Sequence, residues 1–385
     1  MQTDIRIDSR FPQMATTIFT VMSRLAAECG AVNLSQGFPD FQAEPALFDA
    51  MHRHMLAGHN QYAPMAGMPA LRQAIADKVE GLYGPRFDVE SEVTVTSGAT
   101  QAIFTAIAAF VRPGDEVIVF EPVYDSYVPA IETVGGTAVY AQLTFPDYVP
   151  DWAQVAQLIS PKTRMIIVNS PHNPTGSLLT AVDREKLAKL ISGTNIVVLS
   201  DEVYEHILFD GETHASLCAH PQLAARTLVV SSFGKTFHIT GWKIGYVVGP
   251  AELMAEFRKV HQFNVFTVHG PSQLALAEYM QDADRHLRLA AFYQEKRDFF
   301  GQLMATTPFE LLPCRGTYFQ LASYQRISDL SDREFAEWMT RKIGVAVIPV
   351  SAFYANGRDD RVVRFCFAKQ ESTLIEAAAR ICKAL

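Results

Sequence analysis

Five short apolar runs, mostly β-branched, limit what this chain can fold into. They lie near 93–96, 117–120, 164–168, 196–200 and 227–230, and helical stretches separate them. Such runs read as buried strands when turn residues bound them. Their alternation with helices predicts an α/β domain built on a mostly parallel sheet. Parallel strands joined by crossovers bring their carboxyl ends to one edge, and ligands bind at that edge. The chemistry of the chain is therefore expected in the few residues that follow each run.

Those residues are polar. Val93-Thr94-Val95-Thr96 gives way to Ser97-Gly98, where an Ala- and Ile-rich helix begins. The free N–H groups of its first turn, at Gly98, Ala99 and Thr100, make an anion seat, although a plain strand–helix turn explains the same string. The string is neither a GxGxxG nor a Walker loop, so nucleotide binding has no support. The second run ends in Glu121-Pro122, and Tyr124 follows, an aromatic for the core or for stacking on a planar ring. The third leads to Asn173-Pro174-Thr175-Gly176, which turn chemistry alone explains. The fourth ends in Asp201-Glu202, with Tyr204 next but one. A carboxylate at the mouth of a buried strand needs a partner: a salt bridge, a helix cap or a ligand N–H. The fifth stops in Ser231-Ser232, with Gly234 and Lys235 beyond and Lys243 eight residues later. An amine desolvated there loses basicity and gains nucleophilicity; two solvated lysines are the plainer alternative.

Composition removes several function classes. The 385 residues are 49% hydrophobic and 19% charged, enough for a globular chain of two or three domains. A net charge of −8 argues against a nucleic-acid partner. Cys29, Cys218, Cys314, Cys366 and Cys382 are scattered, without a CxxC pair, so a reducing compartment is expected and a metal site is not. The first residues lack the apolar core of a signal peptide, and no apolar run approaches the ~18 residues that span a membrane. The expectation is a cytoplasmic protein.

Helices are expected over 45–58, 71–83, 181–192 and two stretches after Pro250, the second running 272–304. Residues 1–30 read as an irregular arm followed by a helix, with Phe19, Met22 and Leu25 at helical spacing. Strands over 309–321, 345–349 and 362–367, with helices near 332–342 and 371–385, predict a small α+β domain that the N-terminal segment completes. Arg364 falls inside an apolar strand, where it is costly unless paired. Gly37, in Gln36-Gly37-Phe38-Pro39-Asp40-Phe41, suits a turn.

The pattern Ser232-x-x-Lys235-(x)7-Lys243-x-Gly245 resembles the cofactor-lysine motif of fold type I pyridoxal 5'-phosphate (PLP) aminotransferases. Asn173-Pro174-Thr175-Gly176 and the strings around Gly37, Lys235 and Arg364 extend the resemblance over nearly the whole chain, toward the class I methionine/kynurenine branch. The resemblance implies the PLP-dependent transferase fold type I. Residues 46–285 would form the large PLP-binding domain, and 1–45 with 286–385 the small one. It also implies a homodimer with shared active sites. Lys235 would anchor PLP covalently and act as base, and Asp201 would hold the ring-nitrogen proton. Asn173 and Tyr204 would bond the phenolic oxygen, and Tyr124 would cover the ring. Gly98, Ala99, Thr100, Ser232 and Lys243 would hold the phosphate, joined by Tyr62 of the partner subunit. Many members carry Arg at the position of Lys243, which supplies a point charge instead of a fork. Gly37, Asn173 and Arg364 would hold the substrate carboxylate, with Phe19, Phe353 and Phe266 of the partner subunit around the side chain. The implied activity is ping-pong transamination between a 2-oxo acid and an apolar, aromatic or sulfur-containing L-amino acid, methionine favoured. A kynurenine- or glutamine-type enzyme and a cysteine-conjugate carbon–sulfur β-lyase are the alternatives. A PLP-binding regulator has no room for a DNA-binding domain ahead of residue 19.

Overall fold

The fourth apolar run forms the strand Val197–Asp201, buried along its whole length. Val198 and Leu199 are fully enclosed, and each such side chain contributes about 1.5–3 kcal/mol by leaving water. That burial fixes where the strand stops and so where Asp201 sits. The structure is a computed structural model and describes residues 8–12 and 14–385. Residues 1–7 and 13, part of the expected N-terminal arm, lie outside the described residues.

Val197–Asp201 lies between Thr163–Asn169 and Thr227–Ser232, parallel to both. The full sheet has eight strands, in the order Val93–Thr96, Gly245–Val248, Thr227–Ser232, Val197–Asp201, Thr163–Asn169, Glu116–Glu121, Thr137–Thr144 and Val149–Pro150. It is mostly parallel, as the alternating pattern predicts. Two strands run against the rest: Gly245–Val248, between Val93–Thr96 and Thr227–Ser232, and Val149–Pro150 at the edge. Gly245–Val248 and Thr137–Thr144 are absent from the five expected runs. The first is four residues long and opens on glycine. The second is only partly buried, so its composition carries a weaker apolar signal. The helix Gly98–Phe110 packs Ala102, Ile103, Ala106 and Ile107 against Val117, Val119, Leu199 and Val230 of the sheet.

A second, antiparallel sheet has the order Glu310–Leu311, Phe319–Ser323, Val362–Cys366, Ile348–Pro349. The N-terminal segment joins this half, since Val32–Asn33 pairs in parallel with Val345–Ala346. The helix Ile18–Cys29 buries Met22 and Leu25, as their spacing predicts, and ends at Gly30 with φ +58°.

Four expectations need correction. The strand over 345–349 is two, Val345–Ala346 beside Val32–Asn33 and Ile348–Pro349 in the antiparallel sheet, because the chain passes from one sheet to the other at Val347. The strand over 309–321 is two short strands, because the chain leaves the sheet between them and Gly316 pairs with Leu208. A Cβ on Gly316 would lie 2.8 Å from the Pro171 ring, so only glycine lets the loop press there. The helix over 272–304 is three helices, Gly270–Tyr279, Asp284–Leu287 and Leu289–Met304. The Asp282 carboxylate accepts the Asp284 N–H at 3.1 Å, a local bond that competes with helix continuation. The helix near 332–342 is α-helical over Asp332–Trp338 and continues as a wider π-turn over Met339–Ile343.

Candidate active site

At the carboxyl edge of the large sheet the strand ends enclose a cavity of about 140 Å³. Gly98, Ala99 and Thr100 reach it from the start of the helix Gly98–Phe110, whose first N–H groups have no partner within the helix. Gly98 has φ +77°, and a Cβ there would stand 3.4 Å from the Lys243 ammonium, so the turn brings backbone and cation together. Ser232, Lys235 and Lys243 arrive from the reversal that joins Thr227–Ser232 to Gly245–Val248. Asp201 and Tyr204 follow Val197–Asp201, Asn173 follows Thr163–Asn169, and Tyr124 follows Glu116–Glu121.

The charges in this cavity are unusual. Burial pulls the Lys235 ammonium down to about 8, and the Arg364 and Lys243 charges act in the same direction. Burial pushes the Asp201 carboxyl up to about 6, against hydrogen bonds from Tyr127 at 2.5 Å and the Val203 N–H at 3.3 Å. Burial likewise pushes the Tyr124 phenol up to about 12 and raises that of Tyr204. A poised amine, a buried carboxylate and two neutral phenols therefore share one space.

Arg364 stands next to Asn173. It is 1% exposed. It donates to Asn173 Oδ1 at 2.8 Å and to the Ser35 carbonyl at 3.1 Å. Both partners are neutral, and its Nε has none. Its guanidinium lies over Phe319 at 3.8 Å, with the rings of Phe19 and Phe353 at 5.3 and 5.5 Å. A buried cation with neutral partners and a free N–H suits an anionic ligand. The Gly37 carbonyl accepts from Lys235 Nζ at 3.2 Å.

Two residues were expected to serve the partner subunit's site. Tyr62 and Phe266 do not line the cavity; they pack against each other on the surface with ring centroids 5.2 Å apart. They are 81% and 44% exposed.

Three neighbours escaped the sequence reading. Tyr127 donates to Asp201, and Asn169 binds the Asp201 carbonyl and the Asn173 N–H. Tyr318 meets Lys235 Nζ at 2.8 Å. The strand-end rule that picked Asp201 also picks Asn169, and Tyr127 repeats Tyr124 one helical turn on. Tyr318 lay within a run read as continuous strand and gave no such signal.

The family model for class I and II aminotransferases matches residues 30–381. This chain belongs to that family. The aminotransferase is 50% identical to the methionine aminotransferase of Escherichia coli, over 97% of each chain. A solved E. coli structure described as having a methionine aminotransferase function superposes with a TM-score of 0.97, at 49% identity, covering 98% of this chain and all of that one. It is 39% identical to a probable N-succinyldiaminopimelate aminotransferase of Mycobacterium tuberculosis, over 97% of each chain. Kynurenine–oxoglutarate transaminase 1 of Rattus norvegicus is 33% identical over 93% of each chain. The class I fold and aminotransferase activity expected from the motifs stand on these matches. The family uses PLP and acts on amino acids and 2-oxo acids.

Proposed function

We propose that this aminotransferase binds PLP at Lys235 and prefers methionine or a similar apolar donor. The observation that carries the reading is the cavity that joins a desolvated Lys235 to the buried Asp201, with Arg364 beside it. The residues suit the cofactor. Gly98, Ala99 and Thr100, with Ser232 and Lys243, offer N–H groups, a hydroxyl and a cation for its phosphate. Asp201 holds the ring-nitrogen proton, Asn173 and Tyr204 donate to the phenolic oxygen, and Tyr124 covers the ring. Bound there, PLP supplies an electron sink for the substrate Cα. Lys235 moves the Cα proton, and Arg364 grips the α-carboxylate as a fork.

Phe19 and Phe353 wall the space beside Arg364, and sulfur–aromatic contacts favour methionine there. The similarity to the E. coli methionine aminotransferase supports the same donor, and that to the rat kynurenine transaminase supports kynurenine as a second. Tyr62 and Phe266, packed together and exposed, and Phe263, 90% exposed, favour a homodimer whose partner subunit covers them. We assign residues 46–285 to the PLP-binding domain and 1–45 with 286–385 to the small one. We assign the protein to the cytoplasm on its five free cysteines. No helix among the described residues is long and apolar enough to cross a membrane.

Borohydride treatment of the PLP-loaded protein should fix the cofactor to the peptide carrying Lys235. A label on another lysine overturns the assignment. In a donor panel, kcat/KM for methionine should exceed that for aspartate by at least ~100-fold, since aspartate would bury an unpaired charge. Comparable values overturn the methionine preference.

A further inference from the structure

The Lys235 amine has two partners, and their geometry sets the direction of its lone pair. Nζ lies 2.8 Å from the Tyr318 hydroxyl and 3.2 Å from the Gly37 carbonyl. The Tyr318 hydroxyl lies 2.6 Å from the same carbonyl. A carbonyl only accepts, so Tyr318 gives its proton to Gly37 and turns its oxygen to Lys235 as an acceptor. A neutral amine has two N–H bonds and one lone pair. With both N–H bonds taken, the lone pair is left on the side away from Tyr318 and Gly37.

All three groups are held. Tyr318 is fully buried, edge-on to Tyr204 at 5.2 Å and against Phe319 at 4.9 Å. A Cβ on Gly37 would come 2.8 Å from Phe319 Cζ, so glycine alone lets that carbonyl approach. Lys235 comes from the large sheet, whereas Tyr318 and Gly37 come from the other half of the chain.

We propose that Tyr318 is a positioning residue for Lys235: with the Gly37 carbonyl it takes both N–H bonds of the neutral amine and aims the lone pair at the substrate Cα proton. The proton leaves Cα for that lone pair, and the electron pair of the broken C–H bond stays at Cα, where bound PLP would draw it off. The resulting ammonium keeps its two earlier bonds and holds the transferred proton on the side from which it came. This rests on the reading of Lys235 as the base.

The test is Tyr318→Phe, which keeps the ring and removes the acceptor. Loss of an acceptor for the charged form should lower the pH at which Lys235 titrates. In cofactor-free protein, acylation of Lys235 by acetic anhydride against pH, read by peptide mass spectrometry, should shift its midpoint down by about one pH unit. With PLP, kcat for methionine should fall ~10-fold while KM stays within about twofold. Tyr293→Phe is the control, since Tyr293 is buried with an unpaired hydroxyl; it should change neither readout. An unmoved midpoint in Tyr318→Phe, an unchanged kcat, or a loss carried by KM overturns the proposal. The midpoint is read without cofactor, so it stands apart from the borohydride label that tests Lys235 itself.

Discussion

Asp201→Asn should make the cofactor-free protein more stable and the enzyme much slower. In the folded chain burial lifts the Asp201 carboxyl from 3.8 to about 6. The sign follows from proton counting. Between those two values the folded state holds a proton that the unfolded chain has released, so stability falls as pH rises through the window. Above it the cost is complete, and by about pH 3 it is nearly gone because both states are protonated. At about 1.4 kcal/mol per pH unit the gap amounts to about 3 kcal/mol. Asparagine carries no charge to bury. Its oxygen still accepts the Val203 N–H, and its amide donates to the Tyr127 oxygen, so the packing survives. Urea unfolding of cofactor-free protein at pH 8 should therefore show a gain of up to about 3 kcal/mol for the variant, falling toward zero by about pH 3. The proposed task of Asp201 is lost with its charge, so kcat should fall by ~10² or more, the scale of removing a preorganised electrostatic group. Equal or lower stability at pH 8, a gain that persists undiminished at pH 3, or an unchanged kcat would refute the argument.

Arg364→Lys replaces the fork over Phe319 with a point charge; kcat/KM should fall ~10²-fold for every amino donor alike, and a loss confined to one donor would mean that Arg364 reads the side chain. Lys78 and Glu205 form a buried ion pair at 2.6 Å, and Tyr83, Tyr246 and Ser231 also donate to Glu205. Lys78→Met leaves that carboxylate uncompensated and should cost about 3–5 kcal/mol in urea unfolding. Adding Glu205→Gln should recover part of the loss; no recovery would place the cost in packing instead of charge.

The sequence marked the site best where one rule applied repeatedly. Asp201, Asn173, Tyr124 and Lys235 each follow a buried run, and parallel strands deliver such residues to one edge. Arg364 was legible for a different reason: a charge inside Val362–Cys366 has to meet something. The rule fails where the chain departs from strand–helix alternation. Gly245–Val248 is too short to register, so its reversed direction went unread. Tyr318 depends on a loop that leaves the small sheet to press against Pro171, a tertiary contact with no local pattern. The break after Tyr279 rests on one aspartate side chain competing with the backbone, a choice that a helical stripe does not encode.

Because Gly245–Val248 runs against its neighbours, it starts at the edge where Thr227–Ser232 ends. One reversal of the chain therefore carries both Lys235 and Lys243, the second in a left-handed conformation at φ +55°. Were that strand parallel, a crossover helix would separate the two cations and their spacing would depend on how the helix docks. As built, an insertion in the connection over 203–226 leaves the pair untouched, whereas one residue added within 236–242 displaces it. The two strands and their turn form one unit that keeps both charges in register.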